Sequence, residues 1–566
     1  MKKNNLYILL GILLLASFLR LWNLSSGDPL SDEVLYSFRA IGPMDFDEAA
    51  EQTTPLEWFD PYIPSWTSLS FHDHPPLVFW IQHLFMNIFG ETRVGFRLPS
   101  ALMGIASVYL VYLLGKRLYS NPAGLIASGL LAVNAYHVTI SRLGLQESYA
   151  IFFILLSSYL FLLSLKNDRY LIWTGTALGL AFLTKYTAFI LIPTFLAYLL
   201  IFKREYFSNK KLWLGAGVSI LLFSPVLIYN YKLYQAVGHF DFQFSYLVGQ
   251  NPEVWKISPG KEQFPTFSSR LTSFLPYLIW FMPWVFLALA ISSWAYFIFS
   301  LKNNWNILKT NFFPGLHIFW ISLFIILVIG PSLRFLSLLL PFLALLAGAF
   351  LYEIHARYPQ FKKPFLIALG LIVAWETFYT INSQLLAYPV GKVYWAYSDT
   401  RAENYNWGFN QLEDFLTKEL RGKMPAFAFE SRYHFIEEIQ KKSLDTALKE
   451  KRTRYPVLIL YDKNISSIPQ LWILDRLQIY HAWPVVPVET YAKFLNEKGA
   501  DYFKRVGIEK IYLIIPTENV PQKKEHLKTT MGASFEAELV RRSIEPIRIL
   551  NKRGGEVFRI YSTPVE

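Results

Sequence analysis

Eleven apolar runs dominate the chain up to Thr380: residues 6–22, 98–114, 123–140, 149–165, 171–183, 188–202, 212–229, 274–300, 316–329, 335–352 and 365–380. Crossing the hydrocarbon core of a bilayer takes about 20 apolar residues. A chain in lipid must satisfy its own backbone polar groups, so such runs have to be helices. With 53% hydrophobic and 17% aromatic residues and a mean hydropathy of +0.27, the chain is too apolar for an ordinary soluble protein. The reading is a polytopic α-helical membrane protein with about 11 transmembrane helices. The first run follows Met1-Lys2-Lys3 and lacks a small-residue cleavage site, so it reads as a retained helix rather than a signal peptide.

Residues 77–89, LVFWIQHLFMNIF, are too short to span and hold Gln82 and His83; they read as a helix lying on the membrane surface. With that choice, Lys2-Lys3, Lys116-Arg117, Lys166 with Arg169, Lys203-Arg204 with Lys210-Lys211, Lys302 with Lys309, and Arg357 with Lys362-Lys363 all fall on one side. The positive-inside rule makes that side the cytoplasm. A spanning helix at 77–89 would put the later clusters outside. The net charge of +12 is therefore topological, and nucleic acid is not an expected partner. Cysteine is absent, which excludes a disulfide framework, a thiolate metal site and a cysteine nucleophile.

Beyond about Tyr388 the apolar runs become short and bounded by charge. Residues 425–429, 456–461, 510–515 and 556–561 read as strands, and 410–420 and 491–505 as amphipathic helices. The expected organisation is a membrane domain over 1–387, with a first external loop at 23–97 carrying the surface helix 77–89, and a soluble extracytoplasmic α/β domain over 388–566. The segment 404–410, NYNWGFN, offers Tyr405 and Trp407 either as an interfacial aromatic belt or as a surface for stacking on sugar; the belt is the preferred reading.

The charged residues on the external side are the candidates for chemistry. Asp32 and Glu33 follow the first span, and acids close to a bilayer tend to mark function, although a solvated loop carries such acids as well. His72-Asp73-His74 before Pro75-Pro76 offers the imidazole and carboxylate donors that zinc or manganese accept. A metal-free loop is preferred, and a divalent metal stays open. The two prolines fix the backbone that enters the surface helix. Arg142 and Glu147 share one external turn, while Lys185 and Arg334 lie in two others. These cations either snorkel to membrane lipids or clamp a phosphate.

Together these pieces resemble the membrane glycosyltransferases that use polyprenyl-phosphate sugars, of the protein O-mannosyltransferase and lipid A aminoarabinose transferase type. The matching residues are Asp32-Glu33; His74-Pro75-Pro76-Leu77; Arg97-Leu98-Pro99-Ser100-Ala101-Leu102-Met103-Gly104; Ser141-Arg142 with Glu147; Leu183-Thr184-Lys185; and Arg334 with Pro341. The resemblance covers roughly the portion before residue 350 and implies a GT-C fold. It further implies transfer of a sugar from a polyprenyl-phosphate donor to an extracytoplasmic hydroxyl, on protein, lipid or glycan, with inversion. By that resemblance Asp32 is the general base, with Glu33, His74 and Glu147 in support. Arg334, Lys185 and Arg142 would then hold the donor phosphate. Glu147 stands where the family usually has aspartate, and His74 leans toward the mannosyltransferase branch. The rival readings are a secondary transporter, whose sites lie near the midplane in broken helices, and an envelope-assembly protein without catalysis.

Overall fold

The structure, a computed structural model, describes residues 3–47, 53–255, 263–300, 305–391, 400–521 and 528–565. Its contacts divide the chain into two compact units. Met1–Leu24 and Ser65–Glu403 form most of the first; Ser25–Ala49, Thr53–Pro64 and Asn404–Glu566 form the second. The sequence boundary at 387/388 therefore falls short of the change of unit after Glu403, and the early part of the first external loop groups with the C-terminal residues.

The first unit is helical. Among the described residues, seven helices are long and apolar enough to cross a membrane: Lys3–Leu21, Arg93–Leu118, Gln146–Ser164, Lys210–Val237, Thr310–Ile329, Leu333–Arg357 and Pro359–Leu385. An eighth span is the pair Asn121–Val133 and Ala135–Arg142, bent by 62°. Three shorter apolar segments, Tyr170–Thr184, Tyr186–Phe202 and Trp284–Phe299, coincide with the remaining expected runs. A second expected run is broken as well: 274–300 is divided between Phe267–Phe281 and Trp284–Ser300. Pro283, at the break, has no N–H to continue the helix.

Breaks elsewhere have their own polar supports. At the 62° bend the Asn134 side chain accepts from the His137 N–H at 2.9 Å, starting the second half-helix. Arg20 comes from the first helix, wholly buried. It donates to the carbonyls of Leu131 at 3.3 Å and Ala132 at 3.0 Å and meets His137 Nδ1 at 2.7 Å. A buried guanidinium is costly unless hydrogen-bonded, and the free carbonyls of a helix end supply the acceptors. The surface helix Leu77–Phe89 forms with the expected bounds. Its buried Gln82 donates to Gly144 O at 2.8 Å, which fastens it to the turn that carries Glu147.

The second unit holds two sheets. Strands β1 (Lys423–Pro425) and β2 (Thr453–Tyr455) pair in parallel. The main sheet has the order β4-β3-β5-β7-β6, with β3 Val457–Tyr461, β4 Val485–Pro487, β5 Lys510–Pro516, β6 Ile547–Leu550 and β7 Glu556–Pro564. Strands β4, β3 and β5 run parallel, while β7 joins β5 antiparallel and carries β6. β3 is buried throughout, as a central parallel strand covered on both faces must be. Leu458, Leu460, Leu513 and Ile515 pack with Phe503 and Leu539 in its core. Of the expected strands, 425–429 shrinks to the end of β1, and the expected helix 491–505 divides at Gly499, where φ is +99°.

The early loop belongs to this unit through specific bonds. Asp28, 1% exposed, accepts from the backbone N–H groups of Trp407 at 2.5 Å, Gly408 at 3.0 Å and Asn410 at 2.9 Å. It thus caps the helix Phe409–Leu420 from a distant part of the chain. The helix Asp32–Ile41 is held by Tyr480, whose hydroxyl donates to Phe38 O at 2.8 Å.

Candidate active site

Three charged side chains from three separate segments of the first unit meet at Glu147. Glu147 lies in the first turn of Gln146–Ser164, where the positive end of the helix dipole favours an acid. Lys185 stands at the C-cap of Tyr170–Thr184, where the negative end favours a cation. Arg334 follows Gly330-Pro331-Ser332 in the short helix Leu333–Leu336, which the Ser332 hydroxyl caps at Phe335 N, 3.3 Å away.

Both cations use one oxygen: Arg334 Nε donates to Glu147 Oε1 at 2.8 Å, and Lys185 Nζ reaches the same atom. The side chain of Glu147 is 1% exposed, that of Lys185 8% and that of Arg334 20%. Lys185 Nζ also lies 4.8 Å from the centre of the Phe335 ring, and the Tyr136 hydroxyl donates to Leu333 O. The second oxygen of Glu147 has no hydrogen-bond partner. Burying charges costs more solvation than a single pair returns. Such a cluster makes a preorganised seat for an anion.

Arg142 does something else. Its guanidinium donates to Leu19 O at 3.1 Å, Arg20 O at 3.3 Å, Trp22 O at 2.8 Å and Asn23 O at 3.1 Å. Arg97 adds a bond to Leu24 O at 3.2 Å. The carbonyls left over at a helix C-terminus need donors, and Arg142 closes the end of the first helix. The structure thus gives Arg142 a structural task that the sequence reading did not assign, and of the three phosphate candidates it brings together only Lys185 and Arg334.

The turn 71–76 gathers His72, Asp73 and His74. Asp73 Oδ1 is 2.9 Å from His74 Nδ1 and 3.8 Å from His72 Nδ1, while the His72 ring stacks on Trp255 at 5.5 Å. Two imidazoles and a carboxylate are donors of the type zinc or manganese takes, but among the described residues His74 does not join His72 and Asp73 in a group whose ligand atoms lie within 4.8 Å of one another. The pairing of Asp73 with His74 accounts for the cluster by itself.

Next to this turn, the sequence reading missed Asp241. This fully buried acid accepts from the Tyr186 hydroxyl at 2.9 Å, Asn230 Nδ2 at 2.9 Å and Phe244 N at 2.8 Å. The following residue, Phe242, donates its N–H to His72 O at 2.8 Å. Burial pushes the Asp241 carboxyl up to about 6, because the charged form loses its hydration. Asp241 ties the residue after Lys185 to the histidine turn; only its place as an acid between two apolar runs could have signalled it.

Asp32 and Glu33 lie in the second unit and open the helix Asp32–Ile41. Asp32 is half-buried and Glu33 fully buried. The preceding Ser31 has φ +62°, a left-handed conformation uncommon for a side-chain-bearing residue, so the chain turns sharply just before the two acids. Trp407 keeps its indole 38% exposed, while its backbone holds Asp28.

Comparison with known proteins bears on the same region. Residues 73–229 match the family described as dolichyl-phosphate-mannose-protein mannosyltransferase. YycA of Bacillus subtilis (strain 168), provisionally named a mannosyltransferase, is 34% identical over 170 residues, 29% of this chain and 24% of that protein. An undecaprenyl phosphate-alpha-4-amino-4-deoxy-L-arabinose arabinosyl transferase of Pseudomonas savastanoi pv. phaseolicola (strain 1448A / Race 6) is 29% identical over 184 residues, 31% of this chain and 32% of that protein. The chain thus spans a third or less of the length of these relatives. Among solved structures, ArnT from Cupriavidus metallidurans bound to undecaprenyl phosphate superposes over 99% of this chain and 98% of that one, with a TM-score of 0.52 and 12% identity. At that identity the likeness is one of fold. The chain is a multi-pass membrane protein with the fold of that structure, and residues 73–229 match the family described above.

Proposed function

We propose that the protein is an integral membrane glycosyltransferase that moves a sugar from a polyprenyl-phosphate donor to an extracytoplasmic hydroxyl on a protein, lipid or glycan. The observation that carries this reading is the convergence of Lys185 and Arg334 on Glu147, within a chain that has the fold of a transferase solved with undecaprenyl phosphate. The leaving group of the reaction is a polyprenyl phosphate. Its oxygen gains negative charge as the glycosidic bond breaks, and buried cations fixed in advance stabilise that charge without reorganising. Glu147 is the residue that fixes them.

Asp32 takes the proton from the acceptor hydroxyl, which attacks the anomeric carbon from the face opposite the phosphate, so the product is inverted. Glu33 and His74 act in support, Glu33 by its burial beside Asp32 and His74 through Asp73. Arg142 acts as a positioning residue at the end of the first helix. The assigned steps need only the side chains named. The basic clusters between spans support a cytoplasmic-membrane location with the N-terminus inside and the residues after Tyr388 outside.

The test is a purified preparation incubated with a panel of polyprenyl-phosphate hexoses and pentoses and with candidate acceptors, with and without EDTA, following free polyprenyl phosphate. Acceptor-dependent release from one donor is expected. Folded protein that releases nothing from any of them would favour the transport or assembly reading, and loss of release in EDTA would show that a divalent ion takes part.

A further inference from the structure

Among its helices the first unit contains an apolar cavity of about 250 Å³. Its walls come from Tyr170–Thr184, Leu191–Phe202 and Lys210–Val237, through residues such as Leu178, Phe195, Leu196, Ala216 and Ile220. Two of these helices touch backbone to backbone, since a Cβ on Gly175 would fall 1.9 Å from Gly215 O.

One end of the gap is basic. The turns 166–169 and 203–211, which join the cavity's helices, carry Lys166, Arg169, Lys203, Arg204, Lys210 and Lys211 against only Asp168 and Glu205. They are bound to each other: Lys211 Nζ and Asn209 Nδ2 reach Asp168 at 2.7 and 3.3 Å, and the Tyr206 hydroxyl donates to Ser164 O at 3.0 Å. Lys203 pairs with Glu205 at 3.1 Å. Lys166, Arg169, Arg204 and Lys210 are exposed. Trp213 lines the cavity, is 61% exposed and donates its indole N–H to Phe207 O at 2.9 Å, the posture of an aromatic at the level of lipid headgroups.

We propose that this is a site for an anionic glycerophospholipid of the surrounding bilayer, with one acyl chain in the cavity and its phosphate on the basic turns. A soluble apolar ligand would not need the six cations, and a zwitterionic lipid would gain little from them. The lining of the cavity includes none of Glu147, Lys185 and Arg334, so it is a different pocket from the proposed donor site. Its occupant would pack among those three helices.

The test uses the full chain in phosphatidylcholine vesicles, doped in turn with phosphatidylglycerol or phosphatidylcholine bearing a photoactivatable group on the acyl chain. Labelled peptides are mapped by mass spectrometry. The expected result is labelling within 171–182 and 212–220, with phosphatidylglycerol favoured by about fivefold for each net charge engaged. The preference should disappear in the Arg204→Glu, Lys210→Glu double variant. Ala216→Phe, or Leu196→Phe if the first does not fold, should suppress labelling by both lipids while the melting profile is kept. Equal labelling by the two lipids in the unaltered protein, or labelling that the filled cavity does not reduce, would overturn the proposal.

Discussion

Arg334 Nε lies 2.8 Å from Glu147 Oε1, joining a turn late in the helical unit to a helix start nearly two hundred residues earlier in the chain. Lys185 shares that oxygen. Replacing the acid by Glu147→Gln removes the carboxylate that both cations share. The expected cost is about 3 kcal/mol of stability, since breaking a buried pair from one side strands the other. Thermal melting in a fixed detergent checks it; an unchanged melting point would mean that the three groups are not coupled.

Arg334→Ala removes one of the two cations assigned to the leaving phosphate. The expected outcome is a fall in kcat of about 100-fold or more, with a smaller change in KM, because the charge it meets develops in the transition state. A change confined to KM would place Arg334 in ground-state binding instead.

Arg142→Ala separates the two roles considered for that residue. With four carbonyls at the end of the first helix losing their donor, stability is expected to fall by about 2 kcal/mol or more. Activity per folded molecule should fall much less than in Arg334→Ala. The reverse pattern, full stability with activity lost, would return Arg142 to the phosphate.

How far the sequence reached can be judged residue by residue. The helix 77–89 was legible with its bounds as a short apolar run, and its Gln82 turns inward to Gly144 O. The runs 123–140 and 274–300 read as single spans because hydropathy sums side chains and is blind to the backbone breaks at Asn134 and Pro283. The three residues Glu147, Lys185 and Arg334 were named from their turns, yet nothing in the sequence says that they share one oxygen. Asp28 and Asp241 escaped notice altogether. Each is a lone acid whose partners are backbone N–H groups or neutral side chains from elsewhere in the chain, and such bonds leave no charge pattern. Likewise, the grouping of the early loop with the C-terminal unit rests on Asp28 and Tyr480, which are contacts of tertiary structure.

Asp241 makes the stability of the helical unit depend on pH. Its carboxyl rises from an ordinary 3.8 to about 6 in the folded protein. The folded state therefore binds a proton more tightly than the unfolded one, and stability falls as pH rises between those values, then levels off. The contribution amounts to about 3 kcal/mol. Melting temperatures across pH 4 to 7 should show this slope in the wild-type chain, over roughly the range the linkage defines, and a flatter one in Asp241→Asn. Equal slopes would assign the dependence to other groups.

Asp28→Ala tests the remote cap. Without its carboxylate the N–H groups of Trp407, Gly408 and Asn410 lose their acceptor, and a lost cap of this kind costs about 1–2 kcal/mol. Amide exchange at those three residues should accelerate, and an unchanged exchange rate there would show that the cap holds nothing.

The most direct test of the account is acceptor-dependent release of polyprenyl phosphate by Asp32→Asn compared with the wild-type protein, at matched melting profiles. Loss of the general base is expected to lower kcat by about a thousandfold, within the range such proton transfers contribute, while binding of the donor persists. Release at the wild-type rate in Asp32→Asn would contradict the account, because the acceptor hydroxyl would then be activated by some other group.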